Sequence, residues 1–213
     1  KSLLTLRELI LLCKNGFPDG ALGLARNLFE QFVIVCIFES QCEGSARDRM
    51  VEKYYADYDV QRYKNLKTMF KYTGQSGKMQ DCENELTKLR NQFSISKFKD
   101  YWWSSHNSFS KMCEYIIDHT DEQCKMLVIS LYLSYKRACC ALHANSFGNT
   151  NRMGKCVAEI DLSPLDEGQG YALDLAVKSF IMVVAVLYRE LGMDYEETNK
   201  KLNELAVFYQ SIT

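Results

Sequence analysis

The chain has 213 residues, 47% of them hydrophobic and 25% charged, the balance of a folded globular protein and not of a disordered one. Its formal net charge is −1, so no global field draws nucleic acid or an anionic membrane surface to it. Only two prolines interrupt long stretches rich in Leu, Ala, Lys, Glu and Met, which predicts helix almost throughout and excludes a sheet protein.

Taken in order, "SLLTLRELILLCK" predicts a first helix over Ser2–Lys14, stopped by the breakers of "NGFPDG". A second runs from Asp19 to Glu39. "SARD" offers Ser45 as a cap with an acid three places on, opening a third helix that reaches "GQSG". A polar fourth spans Lys78–Gln92. "FSISKFKDYWWSSHNS" keeps no helical period and predicts loop or short turns. Helix resumes near Ser108, and "TDEQ" reads as a capping box at Thr120 for the helix ending at His143. The stretch 144–170 is irregular and rich in Asn, Gly and Ser, with "SPLD" at Ser163 predicting a helical turn. Two closing helices split at "LGMD", the last capped at Asp194.

The expected fold is all-α: one antiparallel helical bundle of about seven or eight helices over 1–213, with 171–213 as the closing helices. The second, sixth and seventh helices are apolar nearly all round and are expected to be central. The apolar runs Phe32–Phe38 and Ser179–Tyr188 fall short of the roughly 20 residues of a membrane span, so no membrane partner is expected. Nine cysteines, an odd count with no C-x-x-C pair, predict reduced thiols and a cytoplasmic setting, and no signal peptide is visible in the sequence.

Arg26 and Glu30 lie four apart on a helix face that continues through the apolar Leu22, Val33 and Ile37, so the pair is expected to point inward. Buried charges need partners, and such a pair often only fixes helix register. His143 ends a helix, where the dipole favours a cation, and reads either as a cap or as a group titrating near neutral pH. Arg137 lies six places earlier on the same helix.

"GALGLARNLFEQF", with its Arg-x-x-x-Glu, and "YKRACCALHANSFG" resemble a family of bacterial helical domains of unknown function. That family carries Arg-x-x-x-Glu on an early helix and a His at the end of a later one. Matched residue by residue, it singles out Arg26, Glu30 and His143, and the resemblance covers most of Leu3–Asn149. More loosely, Arg137 followed five intervening residues later by His143 resembles the Arg-x(4–6)-His motif of HEPN ribonucleases, which are dimeric helical bundles acting as toxins or antiphage effectors. This chain departs from that pattern at Ala138, where a polar residue is frequent, and at Asn145, where a Tyr stands. The resemblance implies a HEPN-like homodimer and a metal-independent endoribonuclease of bacterial defence or stress response, with no cofactor. His143 would be base or acid toward the ribose 2′-OH, Arg137 would offset charge on the phosphorane, Arg26 and Glu30 would orient the imidazole, and Asn145 would contact phosphate.

RNA would follow the region Ser45–Asp100, which holds twelve Lys/Arg against eight Asp/Glu. There Tyr54, Tyr58 and Lys64 interleave aromatic and basic character for stacking and phosphate contact. The competing reading is a solvated helix with a tyrosine stripe on the core. "DYWW" (Asp100–Trp103) either anchors a protein partner or plugs the bundle. His106, Cys113, His119 and Cys124 match no zinc spacing, so no metal is expected. A thiol nucleophile at Cys140 beside His143 is a minor alternative. The second function class is a non-catalytic interaction or ligand-sensing module in which the Arg26–Glu30 pair is structural.

Overall fold

A computed structural model of the chain describes residues 1–40, 44–106, 108–142 and 166–192, with 200 and 204. Among them are seven α-helices and no strand, so the protein is all-α. We number them α1 (Ser2–Lys14), α2 (Pro18–Ser40), α3 (Ser45–Tyr72), α4 (Ser76–Phe93), α5 (Phe109–His119), α6 (Glu122–Leu142) and α7 (Asp166–Glu190). The chain divides into two compact units, Lys1–Glu39 with Ile116–Thr213, and Ser40–Tyr115.

In the first unit α1 ends as its sequence dictates. Gly16 adopts φ +75, a conformation that favours glycine, and the amides of Gly16 and Phe17 turn back onto the carbonyls of Cys13 and Leu12 at 3.0 Å each. Pro18 then opens α2, where its missing N–H costs nothing. The breaker stretch is thus three residues long, because Pro18, Asp19 and Gly20 are already helical. Ser2 Oγ donates to Gln31 Oε1 at 2.5 Å, and at the other end of the pair Gly20 lies so close to Leu12 that a Cβ would meet it at 3.1 Å. The two helices therefore run antiparallel.

Helix α2 buries Ala21, Leu22, Ala25, Leu28, Phe29, Phe32, Val33 and Ile37, a stripe of three- and four-residue steps. Helix α7 buries Leu175, Ala176, Val183 and Val186, and packs against both α1 and α6. Helix α6 is not central all round. It buries Val128, Leu131, Tyr132, Tyr135 and Ala138, but leaves Met126 and Leu133 more than half exposed. Its cap also differs from expectation. Asp121 Oδ1 accepts from the Cys124 amide at 2.9 Å, whereas the Thr120 hydroxyl donates back to Ile116 O of α5 at 2.7 Å.

Formed helices lengthen the apolar runs beyond what the unbroken stretches suggest. Pro18–Ser40 and Gly170–Glu190 are long and apolar enough to cross a membrane, with mean hydropathy 1.5 and 1.8. The charges they carry find protein partners: Arg26 with Glu30, Lys178 with Asp174, and Glu39 with Arg189.

The second unit is built on α3 and α4. Gly74 at φ +70 turns the chain between them, and the Gln75 amide closes onto Phe70 O at 3.0 Å. Glu83 of α4 bonds both Lys67 of α3 and Arg90 of α4 at 2.5 Å, tying the hairpin together. Helix α3 starts without a side-chain cap; Gly44, not Ser45, is the residue before its first turn. Val60, Leu86 and Phe98 form a small core ringed by Tyr63, Leu89, Ile95 and Trp102. A 3-10 turn at Trp102–Ser104 closes it. The Trp102 indole donates to Asp57 at 2.6 Å, and Trp103, 3% exposed, meets Tyr54 edge-on at 4.9 Å. "DYWW" thus packs inward: Trp103 is buried against Tyr54, and the partly buried Trp102 lies against Phe93 and Phe98.

Candidate functional site

Helix α2 carries Arg26 and Glu30 one turn apart, and Arg26 Nε donates to Glu30 Oε1 at 2.9 Å. The side chains keep 33% and 25% exposure, so the pair is half-buried rather than enclosed in the core as its helix face suggested. Its neighbours Ala25, Leu28 and Phe29 take up the buried positions.

Helix α6 completes the cluster from 105 residues away. Tyr135 donates its hydroxyl to the same Glu30 oxygen at 3.2 Å. Its ring lies 5.1 Å from that of Phe29 and 5.7 Å from the Arg26 guanidinium carbon, a cation–π approach. Burial, then a hydrogen bond with Cys139 and the charge of Glu30, push the Tyr135 hydroxyl well above the ordinary phenol range. It therefore stays a donor. Burial alone would lower the Arg26 guanidinium, but the charge and hydrogen bond of Glu30 outweigh it and raise it, so Arg26 stays a cation. Both bonds fall on Oε1, and Oε2 of Glu30 has no partner among the described residues. A carboxylate fixed on one oxygen by two donors has its second oxygen aimed and ready to accept from a third.

Of the residues singled out by sequence, Arg26 and Glu30 are together. His143 and Asn145, with the Cys140 side chain, lie outside the described residues. Arg137 is not in this cluster. It comes two residues after Tyr135, about 200° around the helix, and is exposed. It lines a groove of about 260 Å³ with Met126, Ile129, Ser130, Leu133, Ser134 and Tyr171.

The aromatic–basic interleaving of α3 separates once the helix forms. Tyr55, Tyr58 and Tyr72 are 73%, 72% and 83% exposed, so they form no core stripe. Lys64 donates to Phe98 O at 3.3 Å and Lys67 to Glu83, both toward protein. Tyr54 is held against Trp103, and burial, with Asp57 and Tyr55, raises its hydroxyl. Among the described residues no group of three or more His, Cys, Asp or Glu could hold a metal ion.

Tyr135 is the functional candidate that sequence reasoning passed over. Its signal was the spacing of Tyr135, Cys139 and His143, four and four, which repeats one face of a helix.

The chain belongs to a family of unknown function (DUF5677), whose model matches residues 1–157 and so takes in Arg26, Glu30, Tyr135 and His143. No curated protein and no solved structure matches the chain.

Proposed function

We propose that this protein is a HEPN-like, metal-independent endoribonuclease of bacterial defence or stress response, with its site assembled on Glu30. The observation that carries the reading is the Glu30 carboxylate, clamped on one oxygen by Arg26 and Tyr135, its other oxygen without a partner among the described residues. Tyr135, the α6 member of the clamp, lies on the helix whose sequence runs directly into His143, while Arg26 and Glu30 lie on α2. Glu30 Oε2 would accept from one imidazole nitrogen of His143 and fix its tautomer; the other would take the proton of the ribose 2′-OH. The 2′-oxygen then bonds to phosphorus, the P–O5′ bond breaks, and the departing 5′-oxygen takes a proton from water. The products are a 2′,3′-cyclic phosphate and a 5′-hydroxyl. Arg137, on the far side of α6 from Tyr135, has no part in this scheme within one chain; the homodimer implied by the resemblance could bring it from a second copy. A cytoplasmic protein without a membrane partner fits the free thiols of Cys13, Cys36, Cys82, Cys113, Cys124 and Cys139.

Incubation of the purified protein with mixed RNA in EDTA tests this. Cyclic-phosphate ends that disappear in His143→Ala and fall sharply in Glu30→Gln support it; intact RNA at high enzyme concentration counts against it.

The solvent row of α3 favours a second reading, an interaction module. Tyr55, Tyr58, Met69 and Tyr72 are exposed at steps of three, eleven and three residues, which keep them on one side of the helix, as partner-binding faces are. Under that reading the Arg26–Glu30–Tyr135 cluster is structural, and Glu30→Gln lowers the melting temperature while no nuclease activity exists to lose.

A further inference from the structure

We infer that the groove on the outer face of α6 binds a small organic anion, a carboxylate carried on an apolar body. It does not rest on the ribonuclease reading. Met126, Ile129 and Leu133 supply its apolar lining, and Ser130 and Ser134 place hydroxyls between them. Tyr171 enters from α7. Arg137 stands at the C-terminal end of this row, after three turns of α6.

Three observations give the groove its preference for an anion. Arg137 is exposed and has no ion-pair or hydrogen-bond partner among the described residues, and no acid is among the described lining residues. The neighbouring charges are already engaged: Lys136 lies 4.8 Å over the Tyr132 ring, and Asp174, one turn beyond Tyr171, is paired with Lys178 at 2.6 Å. A carboxylate at Arg137 therefore meets a free planar guanidinium, and the apolar tail covers Leu133 and Met126, which are 55% and 69% exposed without it. The volume, about 260 Å³, falls just under the range of drug-sized pockets and suits a body of roughly ten heavy atoms.

Titration of the full chain with sodium octanoate, octan-1-ol and octylammonium chloride, followed by calorimetry, decides it. Octanoate is expected to bind saturably and at least tenfold tighter than octylammonium. Arg137→Gln should cut octanoate affinity about tenfold and leave octan-1-ol unchanged. Leu133→Glu, which sets an acid in the lining, should abolish octanoate binding. Both positions are exposed, so circular dichroism should match the parent. Absence of saturable octanoate binding, equal affinity for the ammonium, or either variant holding octanoate as tightly as the parent overturns the inference. These titrations are read by calorimetry without RNA, so their outcome neither supports nor overturns the ribonuclease reading.

Discussion

At the scale of single residues, burial decides which polar groups are costly and which are inert. Ser179 of α7 is fully buried, and its hydroxyl has no partner among the described residues. An unsatisfied buried hydroxyl costs about 1 kcal/mol or more, so Ser179→Ala should raise stability by roughly 1 kcal/mol, read as a higher urea midpoint at unchanged slope. Cys36 of α2 is a second case. Burial, with the nearby charge of Glu39, pushes its thiol up to about 12, against a smaller opposing effect of Arg189. At pH 8 it should alkylate roughly three orders of magnitude more slowly than an ordinary thiol of pKa about 8.5. Timed iodoacetamide labelling and peptide mass spectrometry read this directly, and labelling at the unfolded rate would contradict it. Neither property is visible in a sequence, because both depend on what packs around the group. The pairing of Arg26 with Glu30 was legible, since four-residue spacing on a helix is local. The place of Tyr135 on the same carboxylate was not, since it needs α2 and α6 to meet.

At the scale of elements, local chemistry carried most of the boundaries. Helix α1 occupies Ser2–Lys14, as "SLLTLRELILLCK" followed by Asn-Gly predicts. The caps were harder. "TDEQ" holds two capping candidates one residue apart, and Asp121 takes the role because the Thr120 hydroxyl is within reach of the last carbonyls of α5. The α3 face shows the same limit. Tyrosines and lysines alternate in the sequence, but helical rotation leaves Tyr55 and Tyr58 in solvent and turns Lys64 and Lys67 toward Phe98 and Glu83. The α3–α4 hairpin carries its own pH dependence. Hydrogen bonds from Lys67, then Arg90, hold the Glu83 carboxyl below its ordinary value. A folded-state value below the unfolded one adds stability that is fully present above about pH 4.3 and is lost as pH falls through the folded value. Glu83→Gln should therefore cost about 1 kcal/mol at pH 7, with the gap to the parent closing in acid. Denaturant melts at pH 7 and pH 3 check it, and an equal gap at both would refute it.

At the scale of the whole molecule, the near-zero net charge hides a division. Residues 40–115 hold 13 Lys/Arg against 10 Asp/Glu, and the remainder 13 against 17. The helical class was legible from composition and period. The return of the chain after Ile116 to form a unit with residues 1–39 was not, because no local pattern encodes which distant helices pair. That return is what brings Tyr135 to Glu30, and the central claim is that it also sets His143 against the same carboxylate. The most direct measurement is the titration of the His143 imidazole by NMR in the parent and in Glu30→Gln. If the carboxylate accepts from the ring, its loss removes a stabilising partner from the imidazolium, and the midpoint should move to lower pH. A midpoint that stays where it was would contradict the account.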